Sequence, residues 1–319
     1  MKIQFIAGTV WASHRGLRRI TVALALMLLV APSPAAPVSV VDSAGNKVEL
    51  ATAAQRIVSL APHATELVFA AGAGARLVGV LAPADWPPQA AAVPTVGDSR
   101  FLDLERIVAL RPDLAVAWPY VAPAQLARLR DLGVGVYLSD PHTPDAIADD
   151  LERLGALAGT GETASRAAIL FRARLAALRA REQGVSRVRV FYEIWHQPLY
   201  TVGGAHLISA AIDLCGGENV FAALSLPAPS VSVEAVLAAA PDAIVAGTDG
   251  AVRPVWLDAW DAWGSVPAVQ RRNVFVVDAN LLHRAGPRFV EGAESLCSLL
   301  DRARSNGGPH AGTKIRSSP

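Results

Sequence analysis

The chain has 319 residues, of which 52% are hydrophobic and 18% are charged, and its mean hydropathy is +0.33. This composition excludes a disordered polymer and provides enough apolar side chain for one large domain or two lobes with separate cores. The formal charge is +1, but the first 35 residues hold four basic and no acidic residues, so 25 basic residues face 28 acidic ones in the remainder. Such a balance excludes the basic surface that nucleic-acid binding requires.

Residues 1–36 are predicted to contain a secretory signal peptide. The basic segment 15–19 precedes an apolar run at residues 20–31, and small residues follow, with cleavage expected after Ala35. The run has 12 residues, whereas a membrane-spanning helix needs about 20. We therefore predict export; a membrane anchor is the alternative.

An internal repeat indicates two halves of similar design. Residues 103–117 align with residues 232–246 without a gap, and six of the fifteen positions are identical. Each copy predicts a short helix opened by Asp103 or Ser232, then Pro-Asp, then an apolar strand.

Alternating strand and helix patterns predict parallel α/β layering. A long amphipathic helix is predicted between the halves, at residues 162–183, and joins two lobes as a stiff rod. The predicted strands are residues 57–60, 77–80, 114–117, 134–138, 188–194, 243–246 and 274–277.

The predicted organisation is therefore an N-terminal lobe at residues 37–160, a connecting helix at 161–184 and a C-terminal lobe at 185–303. Residues 304–319 are predicted to form a disordered tail, since the last residues are rich in Gly, Ser and Pro. A single long helix as the connection predicts only small lobe movement on ligand binding.

Cys215 and Cys297 are the two cysteines of the chain. In an oxidising compartment an isolated pair most simply forms a disulfide, although two buried thiols are the alternative. No CxxC or Cys/His cluster suggests structural zinc.

Aromatic and imidazole side chains follow the predicted strands. In open α/β sheets, ligands bind beyond the carboxyl ends of strands, so we expect these side chains to line a cleft between the lobes. A cleft of this kind suits a large, flat, partly apolar ligand. For any single residue, ordinary packing is the alternative. The candidate ligand-binding residues are Pro62, His63, Asp85, Trp86, Phe101, Trp118, Tyr120, Trp195, Tyr200, His283 and Arg284.

The sequence contains no GxSxG, HExxH or Walker motif, so we predict that the protein is not an enzyme and has no catalytic residues or catalytic cofactor. A periplasmic hydrolase using Asp85, His63 and Ser99 is the rival from another class. A metal site within the protein is not predicted. Contact with a metal carried by the ligand is the alternative, and the histidines that could make it are His63, His142, His196 and His283.

Four segments, at residues 56–66, 104–113, 214–221 and 233–237, resemble periplasmic cobalamin-binding proteins. The first reads RIVSLAPHATE and the third LCGGENVF. These proteins belong to the helical-backbone (class III) substrate-binding proteins, whose other members bind haem and ferric siderophores. The resemblance covers residues 38–302 and implies two α/β lobes bridged by one long helix.

The resemblance also implies roles for individual residues. It implies a disulfide between Cys215 and Cys297, and docking of Glu105 and Glu234 to arginines of a membrane permease. Trp118 and Tyr200 fall on aromatic ligand contacts of the family, and Arg284 falls on a basic contact. Where the family has tryptophans over the corrin, this chain has Ser99 and Ala228, so we expect Trp86, Trp195 and Phe101 to replace the lost aromatic surface.

We therefore expect a monomeric periplasmic protein of a Gram-negative bacterium that captures a corrinoid, cobalamin or a precursor. It would deliver this vitamin to the permease and ATPase of an ABC importer. The same fold binding haem or a ferric siderophore is the nearest alternative, with His63, Tyr200 or His283 in contact with the metal.

Overall fold

The computed structural model of the protein describes Gly8 and residues 36–307. The predicted signal peptide, apart from Gly8 and Ala36, and residues 308–319 of the predicted tail lie outside the described residues. Within the described part, no helix combines the length and the apolar character needed to cross a bilayer.

The N-terminal lobe is built on a four-stranded parallel sheet in the order β4-β3-β5-β6. The strands are β3 (Ile57–Ser59), β4 (Leu77–Val80), β5 (Leu114–Ala117) and β6 (Gly135–Leu138). An antiparallel hairpin, β1 (Val38–Val41) and β2 (Lys47–Leu50), precedes the sheet. Alternate side chains of β5 enter different cores: Leu114 and Val116 pack on one face, and Ala115 and Ala117 on the other. The helices are α1 (Pro62–Ala70), α2 (Leu104–Ala109), α3 (Pro123–Asp131) and α4 (Pro144–Leu157), with 3₁₀ turns at Gly74–Arg76 and Pro88–Ala92.

The connecting helix is α5 (Gly161–Arg181), a 21-residue helix about 31 Å long. It begins and ends within two residues of the predicted bounds. Its buried face includes Phe171, Leu175 and Leu178. Two arginines attach it to its neighbours: Arg172 pairs with Asp149 and Glu152 of α4, and Arg174 pairs with Glu294 in the C-terminal lobe. The helix is therefore fixed on both sides, as a rigid connection requires.

The C-terminal lobe repeats the arrangement with a second four-stranded parallel sheet, in the order β10-β7-β11-β12. Its strands are β7 (Val188–Glu193), β10 (Gly217–Asn219), β11 (Ala243–Thr248) and β12 (Val274–Asp278). A small hairpin, β8 (Trp195–His196) and β9 (Leu199–Tyr200), follows β7. The helices are α6 (Leu207–Leu214), α7 (Val233–Ala239), α8 (Pro267–Gln270), α9 (Ala279–Leu282) and α10 (Phe289–Gly307), with 3₁₀ segments at Asp249–Ala251 and Val255–Ala262. The fold prediction of two α/β lobes joined by one long helix is confirmed.

The predicted disulfide is present, with Cys215 at the end of α6 bonded to Cys297 in α10. Both residues are fully buried. The bridge joins the edge of the C-terminal lobe to the last helix of the described chain.

Two details differ from the sequence prediction. The helix α10 extends through Gly307, so residues 304–307, predicted as the start of the tail, are helical. Arg304 anchors this last turn, because its guanidinium donates to the backbone carbonyl of Ser186 at 2.8 Å and pairs with Glu182 at 3.2 Å. The strands β1, β2, β8, β9 and β10 were not predicted, because each has four residues or fewer and lacks a continuous apolar run.

Candidate functional site

A cavity of about 310 Å³ lies between the two lobes, at the carboxyl ends of the strands. The N-terminal lobe contributes loops after β3, β5 and β6, and the C-terminal lobe contributes the start of α6 and the end of α9. We call this space the interlobe cavity. Its lining includes His63, Trp118, Tyr120, Ser139, Asp140 and His142 from the first lobe, and His206, Leu207, Pro227, Leu282, His283 and Ala285 from the second.

The N-terminal wall of the interlobe cavity is aromatic. Trp118 follows β5 directly and contacts Tyr120 edge-on, with ring centroids 4.8 Å apart. The ring centroid of His63 lies 5.7 Å from that of Trp118. Tyr120 is 76% exposed, so its ring offers a large accessible surface beside the cavity. The rings are inclined to one another, by 54° between His63 and Trp118 and by 64° between Trp118 and Tyr120. Their contact with a macrocyclic ligand stays a prediction.

His63 is held at the base of this wall. It is the second residue of α1, it is only 5% exposed, and its Nε2 lies 3.3 Å from the carbonyl oxygen of Ser139. Because a carbonyl oxygen only accepts, Nε2 carries the hydrogen of this bond. Burial lowers the pKa of His63 to about 4, so the ring is neutral at neutral pH.

The C-terminal wall presents two more imidazoles. Nε2 of His283 lies 2.9 Å from the hydroxyl of Tyr192, and partial removal from water against the cavity wall lowers the pKa of His283. Its ring packs over Gly247, where a Cβ atom would collide with it. His206 caps α6, with Nδ1 accepting the backbone N–H of Ile208 at 3.1 Å. Burial lowers the pKa of His206 as well.

His206 was missed in the sequence analysis because it follows no predicted strand. Its position one residue before the apolar run 207–214 is the signal that identifies it, since that is where a helix N-cap is expected. Pro227 carries no comparable signal and reaches the cavity through the fold alone.

Arg284, which follows the cavity-lining His283 in the chain, forms with Asp85 part of an ion-pair cluster that joins the lobes. Nη1 of Arg284 is 3.2 Å from Oε1 of Glu66 and 2.5 Å from Oδ1 of Asp85. Arg288 pairs with the same Glu66 carboxylate at 2.6 Å and also lies over the Trp86 ring, 4.6 Å from its centroid. The hydrogen bond from Arg284 lowers the pKa of Asp85. These groups are thus engaged with one another, and their contact with a ligand stays a prediction.

Four other candidates are not among the lining residues. Trp195 is 55% exposed on the β8–β9 hairpin, and its indole N–H donates to the Gln197 carbonyl. Tyr200 is half-buried and pairs with Trp195 across that hairpin. Phe101 is 67% exposed, and Pro62 begins α1. Their ligand contacts also stay predictions.

The rival catalytic arrangement does not come together in the structure. His63 bonds to Ser139, Asp85 bonds to Arg284, and Ser99 is exposed. Among the residues that the structure describes, no group of three or more His, Cys, Asp or Glu side chains is placed to hold a metal ion.

A buried carboxyl group lies at the end of β7. Glu193 is 1% exposed, and its Oε2 accepts the indole N–H of Trp260 at 2.8 Å. Burial raises the pKa of Glu193 to about 7. The group was not predicted, because its position in an apolar strand gave no sign that a charged residue would face inward.

Glu105 and Glu234 occupy matching positions in the two lobes. Each is the second residue of a short helix, α2 or α7, and each is exposed. The two helices begin alike, since Asp103 accepts the backbone N–H of Arg106 at 2.9 Å and Ser232 accepts that of Ala235 at 3.2 Å. The repeat therefore presents one exposed carboxylate on each lobe.

Comparison with known proteins gives consistent results. The "Vitamin B12-binding protein" of Vibrio cholerae is 38% identical over 252 residues, covering 79% of this chain and 91% of that protein. The crystal structure of the periplasmic vitamin B12 binding protein BtuF of Vibrio cholerae superposes with a TM-score of 0.72 at 38% identity, covering 79% of this chain and 98% of that one. The periplasmic heme-binding protein RhuT from Roseiflexus sp. RS-1 in apo form has a TM-score of 0.69 at 27% identity, covering 78% and 99%. Residues 57–281 match the family model described as periplasmic binding protein, and the chain belongs to that family.

Proposed function

We propose that this protein is a periplasmic substrate-binding protein that captures a corrinoid, cobalamin or a related form, and delivers it to an ABC importer. The observation that carries the proposal is the interlobe cavity, whose walls combine Trp118 and Tyr120 with neutral imidazoles. The vitamin B12-binding relative, matched over 91% of its length, supports the choice of ligand.

The two walls suit the two kinds of surface on a corrinoid. The ring of Trp118 and the exposed ring of Tyr120 would cover the apolar macrocycle. Burying a few hundred Å² of such surface contributes several kcal/mol, at about 25 cal/mol per Å², before the cost of ordering is subtracted. His206 would donate a hydrogen bond from Nε2 to an amide group at the edge of the ring, because its Nδ1 already accepts from Ile208. His283 would use Nδ1, because its Nε2 is paired with Tyr192.

Calorimetric titration of the mature protein with cobalamin, cobinamide and haemin tests this assignment. We expect saturable binding of cobalamin at one site. Trp118→Ala should weaken binding at least tenfold, since loss of a buried aromatic contact costs more than about 1.4 kcal/mol. Trp263→Ala serves as the matched control, because Trp263 is 39% exposed and lies outside the cavity lining. Absence of corrinoid binding, or equal effects of the two substitutions, would contradict the proposal.

The matched carboxylates Glu105 and Glu234 are proposed to dock on cationic groups of the permease. Their exposure and their equivalent places in the repeat support this role. Charge reversal at both positions should abolish ligand uptake by cells while leaving the calorimetric affinity unchanged. Uptake that persists in the double variant would exclude docking through these residues.

Haem is the second candidate ligand. The imidazoles around the cavity and the similarity to a heme-binding protein at 27% identity favour it over other classes. Haemin bound through a histidine shifts its Soret band, so absorption spectra in the same titrations separate the two ligands. Tight haemin binding without cobalamin binding would replace the corrinoid assignment.

A further inference from the structure

A groove on the surface of the N-terminal lobe is formed by α2, α3 and the residue that follows α3. We call it the α2–α3 groove, and its volume is about 440 Å³. Its lining is mostly apolar, with one acidic and one basic side chain. The lining residues are Leu104, Glu105, Val108, Ala109, Arg128 and Leu132, and none of them is among the residues that line the interlobe cavity.

The apolar side chains of the groove are open to solvent. Val108 and Leu132 are each 43% exposed, although valine and leucine are usually inside a folded protein. Ala109 is exposed as well. Single exposed apolar residues are ordinary, but these three line one groove. An apolar patch that is rimmed by polar residues commonly marks a surface for another protein.

The internal repeat shows that this exposure is not a requirement of the shared helix design. Val108 in α2 stands at the repeat position of Leu237 in α7. Leu237 is half-buried and packs against the core cluster of the C-terminal lobe that contains Val236 and Trp260. The same register is therefore covered in one lobe and left uncovered in the other.

The two charges at the groove restrict what can cover it. Glu105 and Arg128 are both exposed, and neither forms a salt bridge to another residue in the described part of the chain. A protein that covered the groove would remove both charges partly from water, and a charge buried without a partner is costly. The covering surface therefore needs a cation for Glu105, an anion for Arg128 and an apolar side chain for the groove itself.

We infer that the α2–α3 groove receives an apolar side chain of the permease, on the segment that carries the cation for Glu105. The inference rests on the proposed docking of Glu105 and extends it, since it adds an apolar contact to an attraction between charges. Because Glu105 itself lines the groove, a cation bound to it lies at the groove, and its neighbours in the permease face Val108 and Leu132. An acidic group of the same segment pairs with Arg128.

Uptake by spheroplasts tests the inference. The spheroplasts come from a strain of the source bacterium that lacks this gene. Purified mature protein, loaded with radiolabelled cyanocobalamin, is added at increasing concentration, and the concentration that gives half-maximal uptake is measured. We expect Val108→Ser/Leu132→Ser to raise this concentration at least tenfold, because apolar contacts at the centre of an interface are lost. The calorimetric affinity for cobalamin should stay unchanged.

The matched control removes two apolar side chains from another exposed surface. Ile169→Ser/Leu170→Ser lies on the connecting helix, where these residues are 59% and 67% exposed, and it should leave the half-maximal concentration unchanged. The salt dependence of uptake separates the apolar contact from the charged one. Glu105→Gln should weaken that dependence, whereas Val108→Ser/Leu132→Ser should preserve it.

Several outcomes would overturn the inference. An unchanged half-maximal concentration in Val108→Ser/Leu132→Ser would do so, as would an equal rise in the control variant. A wild-type dimer in sedimentation equilibrium that this groove variant converts to monomer would assign the groove to a second copy of the chain. Uptake that survives charge reversal at Glu105 and Glu234, or absence of cobalamin binding in calorimetry, would instead remove the proposed function, so the failures are distinguishable.

Discussion

The two lobes share a backbone design and differ in the residues at the ends of their strands. After α2 and α7 the chain adopts the left-handed conformation at equivalent positions, with φ of 47° at Arg111 and 45° at Ala240. Asp113 then accepts backbone N–H groups of Gln55 and Arg56 ahead of β3, and Asp242 accepts that of Arg189 in β7. The repeated Pro-Asp thus fixes a neighbouring strand in each lobe.

The differences lie in the cores and along the cleft. The pairing of Glu193 with Ala246 places Glu193 at the position that apolar Leu60 occupies in the first lobe. The disulfide belongs to the C-terminal lobe, and the aromatic wall of Trp118 and Tyr120 belongs to the N-terminal lobe. The shared features build the frame of each lobe and its exposed carboxylate. Of the unshared ones, the aromatic wall lies at the interlobe cavity, whereas Glu193 and the disulfide are not among the residues that line it.

The largest expected effect comes from the disulfide. The bridge closes a loop of 82 residues, and its loss should lower the free energy of unfolding by roughly 4 kcal/mol in the chain-entropy account. The double variant Cys215→Ser/Cys297→Ser measured by urea denaturation gives this value. Hydrogen exchange should accelerate in α6 and α10 and not in α1. Equal acceleration in both lobes would show that the bridge stabilises the whole molecule rather than one lobe.

Glu66→Gln should cost about 3 kcal/mol, because it leaves two largely buried guanidinium groups, those of Arg284 and Arg288, without their shared carboxylate. Asp85→Asn is the matched control. The side chain of Asp85 is 51% exposed, so its pair with Arg284 should contribute less than about 1 kcal/mol. If the denaturation curves of the two variants coincided, Glu66 would not be the centre of the interlobe cluster.

Glu193 should make the C-terminal lobe sensitive to pH. Its folded pKa of about 7 exceeds the ordinary value of 4.5, so the folded protein holds a proton in this window that the unfolded chain releases. The stability contribution is full below about pH 4.5 and is lost as the pH rises through 7, by at most about 3 kcal/mol.

The variant Glu193→Gln removes this titration. Its stability relative to the wild type should therefore increase between pH 5 and pH 8, as measured by urea midpoints across that range. Glu218→Gln, at an exposed site of the same lobe, should leave the pH dependence unchanged. A wild-type profile without the expected fall would show that Glu193 is solvated in the folded state.

The smallest effect concerns the shared left-handed positions. Arg111→Gly and Ala240→Gly should each stabilise the protein by up to about 1 kcal/mol, because glycine adopts positive φ without a Cβ clash. The helical controls Ala109→Gly and Ala238→Gly should instead destabilise by about 1 kcal/mol. If only one of the two glycine substitutions raised the free energy of unfolding, the two turns, although alike in φ, would carry different strain.

The architecture could be predicted largely because buried parallel strands appear as short apolar runs. The strands β4 and β5 have the predicted bounds, and the other five predicted strands differ by no more than two residues at either end. In contrast β10, with the sequence Gly-Glu-Asn, becomes a strand only through its pairing with β7. Such pairing depends on distant residues and leaves no local pattern.

The site was predictable in part for a similar reason. Trp118 directly follows β5, and His63 and Tyr120 come within four residues of the end of β3 and β5, so the sheet geometry places all three at the cavity. Arg284 also follows a strand, but its charge pairs with Glu66, which lies 218 positions away along the chain. No local signal distinguishes an arginine that is free to meet a ligand from one that joins two lobes.

We expect the connecting helix and the Glu66 cluster together to keep the lobes close whether or not the cleft is occupied. An importer that docks on the outer carboxylates would therefore meet empty and loaded receptors of nearly the same outline. Empty copies would compete with loaded ones for the same sites on the importer. When the vitamin is scarce, the rate of uptake would therefore depend on the ratio of loaded to empty protein, and not only on the number of loaded copies. Overproducing the receptor would then slow import.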